Sequence, residues 1–183
     1  MAVTSRSSAR RTQLVEVARK VLIEEGLDGF VVRRIAELAD VRVGNLQYYF
    51  PTRIDLLAAV VRHELEADLG SLEGAASDDD DPTAALRELL FGLIGRWSDG
   101  ATDVYLPAGL LALHDETMAR VIDEVWLTVY DAIADRVRLV DPHLDVDEAR
   151  ARAVLITSLL DGASLQRIDA AGIDRSRFVE RTV

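Results

Sequence analysis

The chain has 183 residues, no cysteine and a formal net charge of −11. Without cysteine there can be no disulfide or thiolate metal site, and without a run of about 18 apolar residues there is no membrane-spanning helix. The basic N-terminus has no apolar stretch behind it and does not read as a secretory signal, so a soluble cytoplasmic protein is the expectation.

The acidic total argues against nucleic acid only until the charge is mapped. Residues 1–53 hold 9 Lys/Arg and 6 Asp/Glu, whereas residues 54–183 hold 12 and 26. A head of +3 on a body of −14 implies that only the head approaches a polyanion.

Apolar spacing predicts an all-α chain of about nine helices. The first is expected over about Ser8–Glu25, with Leu14, Val17, Ala18, Val21 and Leu22 as its inward stripe. Ser7 or Ser8 can cap its start, and Gly26 suits the left-handed position past its end. Arg6, Arg10 and Arg11 fall at or before its first turn, where cations oppose the helix dipole unless an anion lies nearby.

After a turn at Leu27–Phe30 come two short helices, about Val32–Ala39 and Val43–Phe50, joined by Asp40-Val41-Arg42. In the first, Val32, Ile35, Ala36 and Ala39 face inward and Arg33 and Arg34 outward. In the second, Leu46 and Phe50 anchor the helix, so Gly44 and Tyr48 point away from the core with Asn45 and Gln47 beside them. Two helices and a tight turn are the layout of a helix-turn-helix reader. An Asn or Gln amide can donate and accept at an adenine edge, an aromatic ring can meet a thymine methyl, and Gly44 lets the backbone come close.

Pro51 stops the third helix, and Thr52-x-x-Asp55 caps a fourth, Arg53 to about Leu69. The stretch from Gly70 to Ala85 contains Asp78–Asp81 and reads as a solvated linker; its spacing does not fit an EF-hand. Asp81 then caps a fifth helix, Pro82–Trp97, which Ser98-Asp99-Gly100 ends. Further helices follow at about Asp103–His114 (interrupted by Pro107), Asp115–Val140 and, after the capping box Asp145-x-x-Glu148, on to about Ala170. This eighth helix is apolar nearly all round from Ala153 to Leu160, with Gly162, Ala163 and Ser164 behind it. Such a helix is either the central core helix of one subunit or is covered on its far side by a second copy about a two-fold axis; the second is the expectation, with Leu155, Leu159, Gly162 and Ala163 at the seam.

Residues 8–57 resemble the DNA-binding domain of the tetracycline-repressor (TetR) family. The stretch VRRIAELADVRVGNLQYYFPTRIDLL, Val32 to Leu57, carries the likeness through Gly44, the pair Tyr48-Tyr49, Phe50 and the basic residue opening helix four. The segment Leu159–Leu165 looks like the equivalent helix of a choline/betaine-type subgroup. The resemblance implies a DNA-binding domain at 1–52 and an effector-binding and dimerisation domain at 53–183. It implies a homodimer paired through helices eight and nine, usually a repressor, on a palindromic double-stranded DNA operator. Arg33, Arg42, Val43, Asn45 and Tyr48 would reach bases; Gln47, Tyr49 and Arg53 would reach phosphates. Val31 stands where a capping Thr or Ser is common. Gln47 replaces a frequent Tyr and could serve a base or a phosphate. An unidentified small-molecule effector would sit in the body, where Trp97, Tyr105, His114, Met118, Trp126 and Tyr130 are the candidates.

No cofactor, metal site or enzyme activity is expected. His63, His114 and His143 have no spaced partners, and neither a nucleophile elbow nor a phosphate-cradling glycine loop is present. The alternative reading is a helical ligand-binding or adaptor protein whose head no longer binds DNA.

Overall fold

Spacings of three and four between apolar residues recur along the chain, and every regular element of the computed structural model is helical among the described residues, 2–74, 81–166 and 172–182. The elements are α1 (Ala2–Gly29), α2 (Val32–Leu38), α3 (Val43–Tyr49), α4 (Arg53–Gly74), α5 (Pro82–Arg96), a π segment (Trp97–Ala101), α6 (Thr102–Ala112), α7 (Glu116–Val140), α8 (Val146–Leu165) and α9 (Arg175–Glu180). The Arg6 side chain, residues 75–80 of the linker and the continuation of helix eight to Ala170 lie outside the described residues. No described helix is long and apolar enough to cross a membrane.

Two compact units are formed: Met1–Glu64 with Asp103–Asp123, and Leu65–Thr102 with Glu124–Val183. In the first, Leu14, Val15, Ala18, Val21 and Leu22 of α1, Ile35 and Ala36 of α2, Leu46 of α3 and Leu56 and Leu57 of α4 are buried. Val15 takes the inward place expected of Val17, which is half-buried. In the second, α5 packs on α8, α9 and the π segment.

Local chemistry explains most boundaries. Thr52 and Asp55 cap α4 reciprocally: the Asp55 carboxylate accepts from Thr52 N at 2.9 Å, and Asp55 N donates to Thr52 Oγ1 at 3.1 Å. Asp81 accepts from Thr83 N at 2.9 Å, with Pro82 at the first helical position of α5. Asp115 and Asp145 accept from Met118 N and Glu148 N, both at 2.8 Å, at the starts of α7 and α8. Two expectations shift. α1 begins at Ala2, because nothing between there and Gly26 breaks a helix; Ser7 and Ser8 lie inside it and cap nothing. Pro107 sits within α6 without interrupting it. The end expected at Ser98-Asp99-Gly100 is where helical geometry breaks, at Asp99 (φ −97°, ψ 18°) and Gly100 (φ 130°, ψ −15°) inside the π segment.

Gly26 has φ 67° and ψ −169°, a conformation essentially confined to glycine, and it kinks α1 before its last turn. A Cβ there would meet nothing within 4 Å. Gly26→Ala is therefore expected to destabilise the chain through the backbone alone, by about 1–3 kcal/mol in urea unfolding. An unchanged midpoint would show that the kink carries no strain.

Candidate nucleic-acid interface and ligand site

The turn between α2 and α3 is held by the backbone. Asp40 adopts φ 50°, which Asp tolerates better than most side chains, and Val41 N bonds back to Ala36 O at 3.0 Å. Leu46 and Phe50 are buried at 1% and 2% exposure, which fixes the rotation of α3. Arg11 of α1 lies over the Phe50 ring, 5.1 Å from its centroid, and holds that anchor from outside.

The opposite side of α3 is consequently open. Tyr48 is 79% exposed, and Arg42, Val43, Gly44, Asn45 and Gln47 are exposed with it. Tyr48 meets Tyr49 edge to face at 5.3 Å, and Tyr49, half-buried, tilts against Phe50 at 6.5 Å. Arg10, Asp40, Val41, Arg42, Gly44, Asn45 and Tyr48 line an open notch of about 760 Å³. Arg10 belongs to that set although it lies two helices earlier in sequence.

The outward arginines differ in what holds them. Arg34 makes a two-pronged pair with Glu25, at 2.9 and 3.2 Å, and the hydrogen bond and charge of Glu25 raise its pKa. It ties α2 to α1. Arg33, one residue earlier, leans on Glu37 of its own helix at 3.3 Å and stays exposed. Arg53 donates to the Leu27 carbonyl, so the start of α4 is fastened to the turn before α2. Val31 precedes α2 without any side-chain cap.

The six ligand candidates divide between the units. Trp97, Trp126 and Tyr130 come together in the second: Trp97 meets Trp126 edge to face at 5.8 Å, and Tyr130 stacks on Trp126 at 6.1 Å with planes 15° apart. Trp97 is 1% exposed, and its Nε1 donates to Asp68 Oδ2 at 3.2 Å. Asp68, fully buried, also accepts from Arg96 Nε at 2.6 Å. Tyr105, His114 and Met118 belong to the first unit; Tyr105 and Met118 are buried and His114 is exposed. The sequence reading passed over Asp161 of α8, whose carboxyl is pushed up by burial. Burial raises Tyr130 as well, and the charge of Asp161 adds to that. Among the described residues no group of three or more potential metal ligands occurs.

On α8, Leu155 and Leu159 are 65% and 52% exposed, and both border an apolar groove of about 290 Å³ with Leu86, Val137 and Ile156. Gly162 is half-buried beside them. Ala163, one turn on from Leu159, lies at the border of that face and is only 5% exposed.

Residues 14–60 match the family of bacterial regulatory proteins designated tetR. The chain is 29% identical over 162 residues to the HTH-type transcriptional regulator BetI of Ectopseudomonas mendocina, covering 86% of this chain and 81% of that protein. It is 33% identical over 93 residues to RutR of Escherichia coli, covering 46% and 43%. A putative transcriptional regulator of Pseudomonas aeruginosa has the same fold, with a TM-score of 0.81 at 20% identity over 96% of this chain and 88% of that one. Another, from Saccharomonospora viridis and solved in complex with choline, gives 0.75 at 17% identity over 96% and 94%.

A Cβ on Gly44 would meet nothing within 4 Å. Gly44→Ala should therefore leave the fold intact or steady it by up to about 1 kcal/mol in thermal unfolding. If the glycine serves close approach of the helix to DNA, the same variant loses affinity for DNA. Unchanged affinity in the steadied protein would remove Gly44 from the interface.

Proposed function

The chain belongs, through residues 14–60, to the TetR family of helix-turn-helix transcriptional regulators, and we propose that it acts as a homodimeric repressor on a palindromic operator. Residues 1–52 act as the reader and 53–183 as the effector-binding and dimerising body. α3 enters the major groove. Arg33, Arg42, Val43, Asn45 and Tyr48 reach base edges, while Gln47, Tyr49 and Arg53 meet phosphates. The observation that carries this reading is the outward face of α3: Tyr48 at 79% exposure with Gly44, Asn45 and Gln47, opposite an anchor that is fully buried. A large exposed aromatic among amides, with no carboxylate beside it on that helix, fits a groove better than water.

A second copy covers α8 at Leu155, Leu159 and Gly162, with α9 taking part. Two exposed leucines a turn apart beside an apolar groove support that seam. The dimer sets its two reading helices about 34–36 Å apart, one helical turn of DNA. A small molecule in the body releases the operator by preferring a different spacing, and it shifts the balance only as far as that preference goes. The choline complex of the Saccharomonospora viridis neighbour supports a small-molecule site in this helical body.

Two variants test the reading. Tyr48→Ala should lower the ratio of operator affinity to random-DNA affinity by about tenfold or more while the protein still sediments as a dimer. An unchanged ratio would take the reading role from α3. Leu159→Glu should sediment as a monomer with its helical content kept; a variant that remains dimeric would move the seam off α8.

A further inference from the structure

Several cations of the first unit stand against carboxylates. Arg19 pairs with Glu64, Lys20 with Glu24, Arg33 with Glu37 and Arg34 with Glu25. Arg11 lies over the Phe50 ring, and Arg53 donates to the Leu27 carbonyl. Arg10 and Arg42 differ. Both line the notch beside α3, and among the described residues neither has a carboxylate at ion-pair distance. Asp40 shares that lining and pairs with neither. Arg10 donates instead to Gln13 Oε1 at 2.7 Å, a neutral amide that orients the guanidinium without cancelling its charge.

Arg10 is not part of a loose arm. α1 begins at Ala2, so Arg10 stands more than two turns inside it. Leu14 and Val15, about one turn further on, are buried at 1% and 2% exposure. The next residue, Arg11, holds Phe50 at the end of α3. Arg10 itself is half-buried, and it meets Arg42, Gly44, Asn45 and Tyr48 around the notch. The major groove is about 12 Å wide, and a helix with its side chains is about 10–12 Å across, so one helix fills it. With α3 seated, α1 stays outside. A cation on α1 at the edge of α3 then meets the wall of the groove, which is sugar and phosphate. A guanidinium suits that wall, because its planar fork pairs with two phosphate oxygens at once.

We infer that Arg10 is a phosphate contact supplied by α1, from outside the helix-turn-helix. Its guanidinium pairs with a backbone phosphate bordering the groove that α3 enters, and this fixes the depth and register at which α3 sits. Asp40, in the same lining, repels phosphate, so attraction and repulsion together narrow where the backbone lies. This inference rests on the DNA reading above and adds a positioning residue to it.

The full-length protein is measured against two probes over a salt series: a genomic fragment that the parent retains, and a random-sequence duplex of the same length. Arg10→Ala should weaken both by a similar factor, about tenfold at moderate salt. It should also flatten the slope of log affinity against log salt by about 0.9 for each protomer bound. Arg10→Lys keeps the charge without the fork, so it should keep the slope and recover part of the affinity. Arg10→Gln keeps a long polar side chain without the charge, and it decides the matter if the alanine variant does not fold. Lost packing alone would not remove the slope in the neutral variants and restore it with lysine. The inference is overturned if a folded neutral variant keeps the parent's slope. A loss confined to the genomic fragment also overturns it, because that makes Arg10 a base contact. A parent that retains no DNA ends this inference and the DNA reading together. A parent that retains DNA, with variants of unchanged slope, ends this inference only.

Discussion

α3 is seven residues long, and a helix of two turns is not stable in water by itself. Its existence depends on the burial of Leu46 and Phe50, with α3 packed on α2 and Arg11 of α1 closing over the Phe50 ring. That anchor fixes rotation, and fixed rotation decides which residues face out. Tyr48, Asn45 and Gly44 are therefore a consequence of where Leu46 goes. The Arg34–Glu25 pair, the Arg53 bond to the Leu27 carbonyl and the Thr52–Asp55 cap fasten the neighbouring segments, so the short helix inherits rigidity from what surrounds it. Pre-organisation of this kind is what lets a small surface discriminate, because little has to be ordered on binding.

α4 makes the second demand on the sequence. It buries two carboxylates four residues apart, Glu64 and Asp68, where apolar side chains would pack without a desolvation cost. Glu64 is held by Arg19 of α1, and Asp68 by Arg96 and Trp97 at the α5–π junction. Ion pairs of this kind add less to stability than their short contacts suggest, since each buried charge must first leave water. They do specify partners. Loss of either arginine would leave a buried carboxylate short of its counter-charge. The aromatic cluster begins at the same Trp97, which places a ligand-sized group of rings one hydrogen bond away from α4.

Much of this was legible in the chain because the signals are local. The caps at Thr52, Asp81 and Asp145 need only three or four consecutive residues, and the stripes of α5 and α7 need only their own spacing. The outward face of α3 followed from Leu46 by rotation alone. What stayed hidden depends on residues far apart in sequence. Arg19 finds Glu64 across 45 positions and Arg96 finds Asp68 across 28, so a charged residue inside a helix gave no hint of burial. Ser98-Asp99-Gly100 reads as a helix end, and the backbone does leave helical geometry at Asp99 and Gly100, but the packing of this segment against α5 and α8 is written in no local pattern. Ala163 follows Leu159 by one turn and sits at the border between the outer and the buried face, where spacing alone does not decide exposure.

The central claim is that an acidic chain carries one basic, rigid reader and uses two copies of it. Retention of sheared genomic DNA on the full-length protein, followed by sequencing of the bound fragments at low and moderate salt, tests this most directly. The account predicts one recurring inverted repeat with half-site centres about 10–10.5 base pairs apart or a multiple of that, with retention falling as salt rises. Bound fragments that share no sequence, or a single unrepeated site held equally well at both salt concentrations, would contradict it.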